Sequence, residues 1–323
     1  MNPSGRKLKA ALGPVADFLL SVATLLATPF LRLLTRNPAL FRRTRERLDA
    51  AGVTVLRHHY YSPAVVPIEI RKPLDGIRDL PGVDLNLERQ LELIGEFSYR
   101  DELLAIPMEP ASETAFGYNN DAYESGDAEL LYNVIRKFKP RRIVEIGCGQ
   151  STKLMQLAIS RNVEEDGSYE CRQTCIEPFE QPWLEKLDIE LIRKKVEDCP
   201  LELFTELGPN DILFIDSSHV IRPQGDVLTE YLDILPRIGS GVLVHVHDIF
   251  TPRDYPAAWV LRDRRLWNEQ YLLEAFLSFN RDFEVLLAAN MLANDHADKL
   301  ATACPVLSRT PGKQPGAFWL RRL

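Results

Sequence analysis

The chain has 323 residues, of which 45% are hydrophobic and 26% are charged, a composition typical of a globular protein with one large domain or two. Its formal net charge of −7 argues against a nucleic-acid partner, because phosphate contacts require clustered lysines and arginines. None of its five cysteines belongs to a C-x-x-C pair, so we expect reduced thiols in a cytoplasmic protein rather than a disulfide framework.

The first segment, residues 1–50, is an apolar and basic arm that we predict to be mainly helical. Its uncharged run, 18–31, is shorter than the roughly 20 apolar residues that a spanning helix needs, and the neighbouring Asp17 also counts against a span. Three interpretations stay open: a helix packed on the protein or on a second subunit of a homo-oligomer, peripheral membrane contact through residues 10–47, and a membrane span. The arginines between 32 and 47 would suit an anionic cytoplasmic leaflet or, equally, a solvated helix face.

The middle segment, residues 51–125, shows no regular alternation of strands and helices, and we interpret it as a lid or capping region. It contains a predicted helix from about 87 to 97. A polar segment, 118–123, follows just before the next predicted helix, 127–138, which ends at Pro140.

From residue 126 to 323 apolar strands alternate with helices, which predicts right-handed crossovers and a doubly wound, mostly parallel, seven-stranded α/β sheet. Runs such as 212–215 and 242–246 are almost continuously apolar, which indicates a sheet covered on both faces. The last two strands have no clear helix between them, and we expect them to form an antiparallel pair at the C-terminus. The predicted strands are 142–146, 174–176, 189–194, 211–215, 242–246, 283–287 and 317–320.

The joint between the first strand and the next helix carries the strongest functional signal. Glycines at such a joint let a ligand approach the backbone, and the helix N-terminus offers free N–H groups to it, as in nucleotide-like cofactor sites. The third glycine of a dinucleotide fingerprint would fall at Thr152, which argues against an NAD site. The residues that we predict to bind the cofactor here are Glu145, Gly147, Cys148, Gly149 and Ser151.

An acidic residue, Glu177, ends the second predicted strand. In an adenosine-cofactor site this is the position whose carboxylate binds the ribose hydroxyls. Two acceptor oxygens suit a cis-diol and would repel a 2′-phosphate. We therefore predict that Glu177 also binds the cofactor.

The glycine joint and the acidic strand end resemble the corresponding motifs of the class I S-adenosylmethionine (SAM) methyltransferases. The resemblance implies SAM as the cofactor, and it implies that segment 118–123 folds over it, although that segment could equally cap the next helix. A C-terminal antiparallel strand pair belongs to this fold and is usually absent from dehydrogenases. Two alternatives stay open: an NAD-dependent oxidoreductase, and a catalytically idle methyltransferase-like interaction module.

Polar side chains follow the fourth and fifth predicted strands, where an acceptor would be expected to bind. Asp216 and His219 come after the fourth strand, and His247 and Asp248 come at the end of the fifth. The carboxyl ends of parallel strands meet at one edge of the sheet, and a charge directly after an apolar strand is costly without a purpose. We therefore predict that these four residues are catalytic. His245 shares a strand face with His247, and we interpret it as a hydrogen-bonded core histidine.

These residues also resemble the divalent-metal site of the O-methyltransferases of the macrocin and catechol type. The resemblance implies a metal bound by Asp216, His247 and Asp248 that lowers the pKa of an acceptor hydroxyl. In that family the position of His247 is acidic, and an imidazole suits Mn²⁺ better than it suits Mg²⁺. Two possibilities stay open: a metal, Mg²⁺ or Mn²⁺, or a histidine acting as general base. In both, the expected reaction is SAM-dependent O-methylation of a small-molecule or glycan hydroxyl.

Overall fold

The structure, a computed structural model, describes residues 3–36, 40–56, 61–63, 69–179 and 181–323, and of residues 3–12 the backbone only. The chain packs into two compact units, residues 1–71 and residues 72–323. Parts of the predicted arm and of the predicted lid, residues 1–2, 37–39, 57–60 and 64–68, lie outside the described residues. The lid role of residues 51–125 stays a prediction, while residues 72–125 pack in the same unit as the sheet.

The first unit is helical, as predicted for the arm. A long helix, α1 (Pro3–Arg36), is followed by α2 (Arg42–Ala50). Within α1, Gly13–Arg36 is long and apolar enough to cross a membrane, a test that signal sequences and buried core helices also pass. Leu34 is buried in this unit, but most apolar side chains of α1 are exposed.

The second unit is built on a seven-stranded sheet with the order β3-β2-β1-β4-β5-β7-β6. The first five strands are parallel, and β7 inserts antiparallel between β5 and β6. The predicted fold class, including the C-terminal antiparallel pair, is therefore confirmed. The strands are β1 (Arg142–Ile146), β2 (Arg172–Ile176), β3 (Glu190–Ile192), β4 (Ile212–Ile215), β5 (Leu243–Val246), β6 (Phe283–Ala288) and β7 (Phe318–Arg322).

Helices cover both faces of this sheet. The first core helix begins at Asp127, where the Glu129 carboxylate accepts the Gly126 N–H at 3.0 Å, and it ends before Pro140, which cannot donate a helical hydrogen bond. The helices are α3 (Leu87–Gly95), α4 (Arg100–Ala105), α5 (Asp127–Phe138), α6 (Gln150–Glu165), α7 (Glu202–Thr205), α8 (Asp226–Leu228), α9 (Glu269–Leu277), α10 (Ala289–Asp295) and α11 (Ala297–Ala303). A π-helix, Thr229–Ile234, extends α8.

Alternation along the strands divides the core into two layers. Ile143 and Phe214 belong to the layer formed with α5 and α6, and Val144 and Ile215 belong to the layer on the opposite face. All four side chains are buried. The prediction of a sheet covered on both faces is thus confirmed, and the carboxyl ends of the strands remain as the accessible edge.

The stretch between β6 and β7 differs from the prediction of an irregular connection. Two seven-residue helices, α10 and α11, lie there, and both bury apolar side chains, Leu292 and Leu300 among them. Helices this short are marginal in isolation and form because tertiary packing covers their apolar side chains. Their periodicity extends over too few residues to be recognised in the sequence.

Candidate functional site

The glycine joint lies between β1 and α6 at the carboxyl edge of the sheet. Gly147 has a φ of 79°, and a Cβ at this position would lie 1.8 Å from the carbonyl oxygen of Asp216. Gly147 is therefore required by the close approach of the chain that leaves β4. A Cβ at Gly149 would meet no atom within 4 Å. Of the two glycines, Gly149 is the one that leaves open space of the kind a bound ligand could occupy.

Glu145 holds this joint in place. It is fully buried, and its carboxylate accepts hydrogen bonds from Ser151 Oγ at 2.6 Å, Thr152 Oγ1 at 2.9 Å and Gln173 Nε2 at 3.1 Å. Burial raises the pKa of Glu145 to about 7, although these hydrogen bonds act in the opposite direction. Glu145 and Ser151, both predicted to bind the cofactor, thus contact each other and tie the loop to the first turn of α6.

Cys148 is buried beneath the same loop, next to Cys175 of β2. Burial raises the pKa of the Cys148 thiol well above its usual range. The thiol is therefore a neutral packing group, and its predicted contribution to cofactor binding would have to come from its backbone.

A cavity of about 430 Å³ opens beside the joint. Gly147, Glu177 and Asp216 line it together with the apolar side chains of Ile176 and Val196. Its size and its mixture of apolar walls with a few polar groups are typical of small-molecule and cofactor sites. Its position, where the strand order reverses between β1 and β4, is where doubly wound sheets bind nucleotide-type ligands.

Glu177 lies at the edge of this cavity, as predicted from its place at the end of β2. Only 9% of the residue is exposed, and its Oε1 accepts the backbone N–H of Phe179 at 2.8 Å. The hydrogen bond restrains the carboxylate at the cavity wall. A restrained acceptor next to apolar walls can bind a diol beside a flat heterocycle.

A second group of polar side chains adjoins the cavity. Ligand atoms of Asp216, His219 and Asp248 all lie within 4.8 Å of one another. Nε2 of His219 is 3.3 Å from Asp216 Oδ1 and 3.6 Å from Asp248 Oδ2. Asp216 also lines the cavity, so the two parts of the site share one residue. We call these three residues the acid–histidine group.

Two members of the acid–histidine group have strained backbones. His219 and Asp248 both have a φ of 58°, in the left-handed region that residues other than glycine seldom adopt. Such conformations persist only where the surrounding structure imposes them, and they concentrate at functional sites. Both side chains have ligand atoms within 4.8 Å of Asp216.

Glu269 supports the group from behind. Its Oε2 lies 2.8 Å from Nδ1 of His219, and its Oε1 accepts the hydroxyl of Tyr231 at 3.2 Å. Burial by itself lowers the pKa of His219, but the hydrogen bonds to Asp216 and Glu269 outweigh it and raise that pKa well above its usual range. Trp267 packs against the same imidazole with a ring-centroid distance of 4.4 Å.

The predicted metal ligands, Asp216, His247 and Asp248, differ in their histidine from the three residues whose ligand atoms the structure brings together. Nε2 of His247 is 3.6 Å from Asp248 Oδ1, but His247 is not part of the acid–histidine group, where His219 stands instead. His247 directly follows β5, and its ring lies beside that of His245, with ring centroids 5.6 Å apart. There it contacts Tyr123, with ring centroids 5.0 Å apart. The catalytic roles predicted for His219 and His247 stay predictions.

His245 is a core residue, as predicted, but its ring forms no hydrogen bond within the described part of the chain. It is fully buried and stacks on Phe214 with ring centroids 4.0 Å apart. Neither ring nitrogen has a hydrogen-bond partner among the described residues. Burial, together with the charge of His247, lowers the pKa of His245 well below its usual range. It is therefore a neutral packing residue.

The polar segment 118–123 reaches the site through Tyr123. This residue is 2% exposed, and its hydroxyl has no hydrogen-bond partner within the described part of the chain.

Asp127 follows at the start of α5, where its Oδ1 accepts the N–H groups of Gly316 and Ala317 at 2.9 and 2.6 Å. Burial raises the pKa of Asp127 to about 6.

Glu269 was not singled out in the sequence, although one signal marks it. It lies four residues before Leu273 and eight before Leu277, on the face of α9 that is buried. A carboxylate on an apolar helix face indicates a buried partner. The sequence does not show which partner that is.

The fold and the cavity define an α/β protein of the class that binds nucleotide-type cofactors. A family model described as a methyltransferase domain matches residues 144–249, the part that contains the joint, the cavity and the acid–histidine group. An uncharacterized protein of Archaeoglobus fulgidus is 32% identical over 170 residues, which cover 48% of this chain and 74% of that protein. Residues 144–249 therefore form a methyltransferase domain of the class I type, and this domain implies SAM as the cofactor.

Proposed function

We propose that the protein transfers the methyl group of SAM to a hydroxyl oxygen of a small molecule or a glycan, with a divalent cation at the acid–histidine group. The observation that carries this proposal is the shared residue Asp216. It lines the cofactor cavity and lies 3.3 Å from His219 within a potential ligand set. An acceptor held by this group would therefore adjoin the cofactor.

The cavity fits SAM in size and chemistry. The apolar side chains of Ile176 and Val196 suit an adenine ring, and Glu177 suits the ribose diol. The open space beside Gly149 suits the approach of the methionine part to the loop backbone. SAM supplies a sulfonium methyl group, and the protein mainly has to orient that group toward the acceptor.

The acid–histidine group fits a divalent cation. Ligands about 2.1 Å from a metal lie roughly 3.0–3.5 Å apart, close to the observed 3.3 and 3.6 Å. Glu269 orients the imidazole in the way that outer carboxylates orient metal-binding histidines. A bound cation would lower the pKa of an acceptor hydroxyl, and the mixed nitrogen and oxygen donors favour Mn²⁺ over Mg²⁺.

The same geometry disfavours His219 as a general base. Both of its ring nitrogens contact carboxylates, so neither is free to take a proton from a substrate. His247 remains the candidate for a metal-free version, because its Nδ1 has no hydrogen-bond partner among the described residues. In that version a chelator would leave the activity unchanged.

Aromatic and basic side chains adjoin the group on the acceptor side. The Arg265 guanidinium packs against both Trp259 and Trp267, 4.2 and 4.5 Å from the ring centroids, and Trp267 contacts His219. Indole rings stack on the flat faces of sugars and aromatic compounds, and a guanidinium binds anionic groups. This supports an acceptor with a flat ring, such as a sugar, over a simple aliphatic alcohol.

The experiment is methyl transfer from radiolabelled SAM into fractionated cell extract, with the labelled product analysed by mass spectrometry and NMR. We expect the labelled methyl group to be linked to oxygen. A chelator should abolish the transfer of label, and added Mn²⁺ should restore this transfer at least as well as Mg²⁺ does. Asp248→Asn should abolish transfer, and Asp263→Asn, an exposed control, should not. Label on nitrogen would overturn O-methylation, and full activity after chelation would overturn the metal.

A further inference from the structure

Helix α1 presents an exposed apolar surface. Within its segment Gly13–Arg36, an 18-residue window has a mean hydropathy of 1.7. The large side chains that form this apolar face are between 59% and 74% exposed: Val15, Phe18, Leu19, Leu25, Leu26 and Phe30. Contiguous exposed apolar surface of this kind marks an interaction site rather than a solvated helix.

Between residues 15 and 35 of α1, the polar residues lie in one stripe along the helix. They recur at intervals of three or four residues, which places them on one side of a helix. This polar stripe consists of Asp17, Ser21, Thr24, Thr28, Arg32 and Thr35. Since the stripe runs along the helix, a spanning orientation would place its whole length, including Asp17, across the hydrocarbon. An orientation in the membrane plane leaves the stripe in water.

Positive charge is concentrated next to the apolar face of α1, which favours an anionic partner. Residues 32–47 contain six arginines and one acidic residue, although the whole chain has a net charge of −7. Arg42 is paired with Glu46 at 2.8 Å, while Arg43 and Arg47 are exposed on the same short helix, α2. Arginines next to an exposed apolar helix complement the phosphates of an anionic membrane surface.

We propose that α1 lies in the surface of an anionic membrane, with its apolar face among the acyl chains and the arginines of residues 32–47 at the headgroups. Gly13–Arg36 would extend about 36 Å along the surface at 1.5 Å per residue. The inference does not depend on the proposed reaction. The apolar face and the arginine cluster both lie in the first unit, whereas the catalytic site lies in the second.

The test is co-sedimentation of the full chain with vesicles of phosphatidylcholine, alone or with about 30% phosphatidylglycerol. We expect binding to the anionic vesicles to be at least tenfold stronger. The double variant Leu19→Asp with Leu26→Asp should lose binding at least tenfold. The matched variant Ser21→Asp with Thr24→Asp introduces the same charge on the polar stripe and should retain it. A far-UV circular dichroism spectrum equal to that of the wild type would show that each variant keeps its helices.

Arg43→Gln with Arg47→Gln should remove much of the preference for anionic vesicles. If Leu19→Asp with Leu26→Asp and Ser21→Asp with Thr24→Asp lose vesicle binding equally, the in-plane orientation is overturned. It is also overturned if the wild-type protein stays in the vesicles at alkaline pH, as a spanning protein does. Absence of vesicle binding by the full chain would overturn the membrane proposal. A vesicle-free dimer that Leu19→Asp with Leu26→Asp dissociates would also overturn it, since the apolar face would then cover a second copy.

Discussion

Nδ1 of His219 lies 2.8 Å from the buried Oε2 of Glu269, a residue 50 positions further along the chain. This contact leaves Nε2 of the imidazole directed at Asp216 and Asp248. A carboxylate behind a histidine fixes both the tautomer and the orientation of the ring, which is what a metal ligand requires. The relationship is the strongest structural argument that the three residues act together.

Replacing this carboxylate tests the relationship. Glu269→Gln keeps the shape of the side chain but removes the charge that orients His219, so affinity for Mn²⁺ should fall by roughly 10- to 100-fold. Calorimetric titration with Mn²⁺ measures this directly, without a known acceptor. Asp263→Asn, which neutralises an exposed loop carboxylate, is the control. Equal Mn²⁺ affinity in the wild type and in Glu269→Gln would contradict the supporting role.

The two glycines of the joint should respond differently to the same change. Gly147→Ala places a Cβ against the Asp216 carbonyl at a positive φ, and we expect it to destabilise the fold by about 2 kcal/mol or more. Gly149→Ala meets open space, so its stability should change by less than about 0.5 kcal/mol while its SAM affinity falls. Denaturant unfolding and calorimetry separate the two effects. Normal SAM affinity in Gly149→Ala would contradict a cofactor approach at that position.

Glu177 should contribute to cofactor affinity through the ribose. Glu177→Ala removes a charged hydrogen-bond acceptor from the cavity wall, and SAM binding should weaken by about 1.5–3 kcal/mol. Glu170→Ala is the matched control, because Glu170 is an exposed glutamate near the opposite end of the same strand. Calorimetry with the folded proteins is the measurement. If both variants bind SAM as the wild type does, Glu177 is not the ribose ligand.

Glu145 should make stability depend on pH. Its folded pKa, raised by burial to about 7, lies above its ordinary value of 4.5, so the folded state binds this proton more tightly than the unfolded state. The resulting stabilisation is present below pH 4.5 and is lost as the pH rises to about 7. Relative to Glu145→Gln, the wild type should lose on the order of 3 kcal/mol of unfolding free energy over this range. Parallel stability curves for the two proteins would contradict this.

The N-terminal arm should be dispensable for cofactor binding. The cavity is lined entirely by residues of the second unit, and the arm belongs to the first. Deleting residues 1–50 should therefore preserve SAM affinity and change membrane partitioning or oligomeric state. A truncated protein that folds by circular dichroism but no longer binds SAM would contradict this separation.

The sequence by itself determined the class of the fold and the place of the cavity beside the first strand–helix joint. The apolar runs of β4 and β5 predicted a sheet covered on both faces, because a strand that is buried on both sides is almost continuously apolar. Glycines at 147 and 149 and an acidic strand end at 177 predicted the cavity. These signals are local, since strand, turn and helix N-terminus follow one another along the chain.

The tertiary structure alone decided which histidine joins the two aspartates. His219 lies in the loop after β4 with a φ of 58°, and the partner that orients it comes from α9. His247 lies directly next to Asp248 in the sequence, yet its ring packs against Tyr123 and His245. Periodicity encodes which face a residue occupies within one element. Distances between groups on separate elements depend on how those elements pack, and no local pattern records that packing.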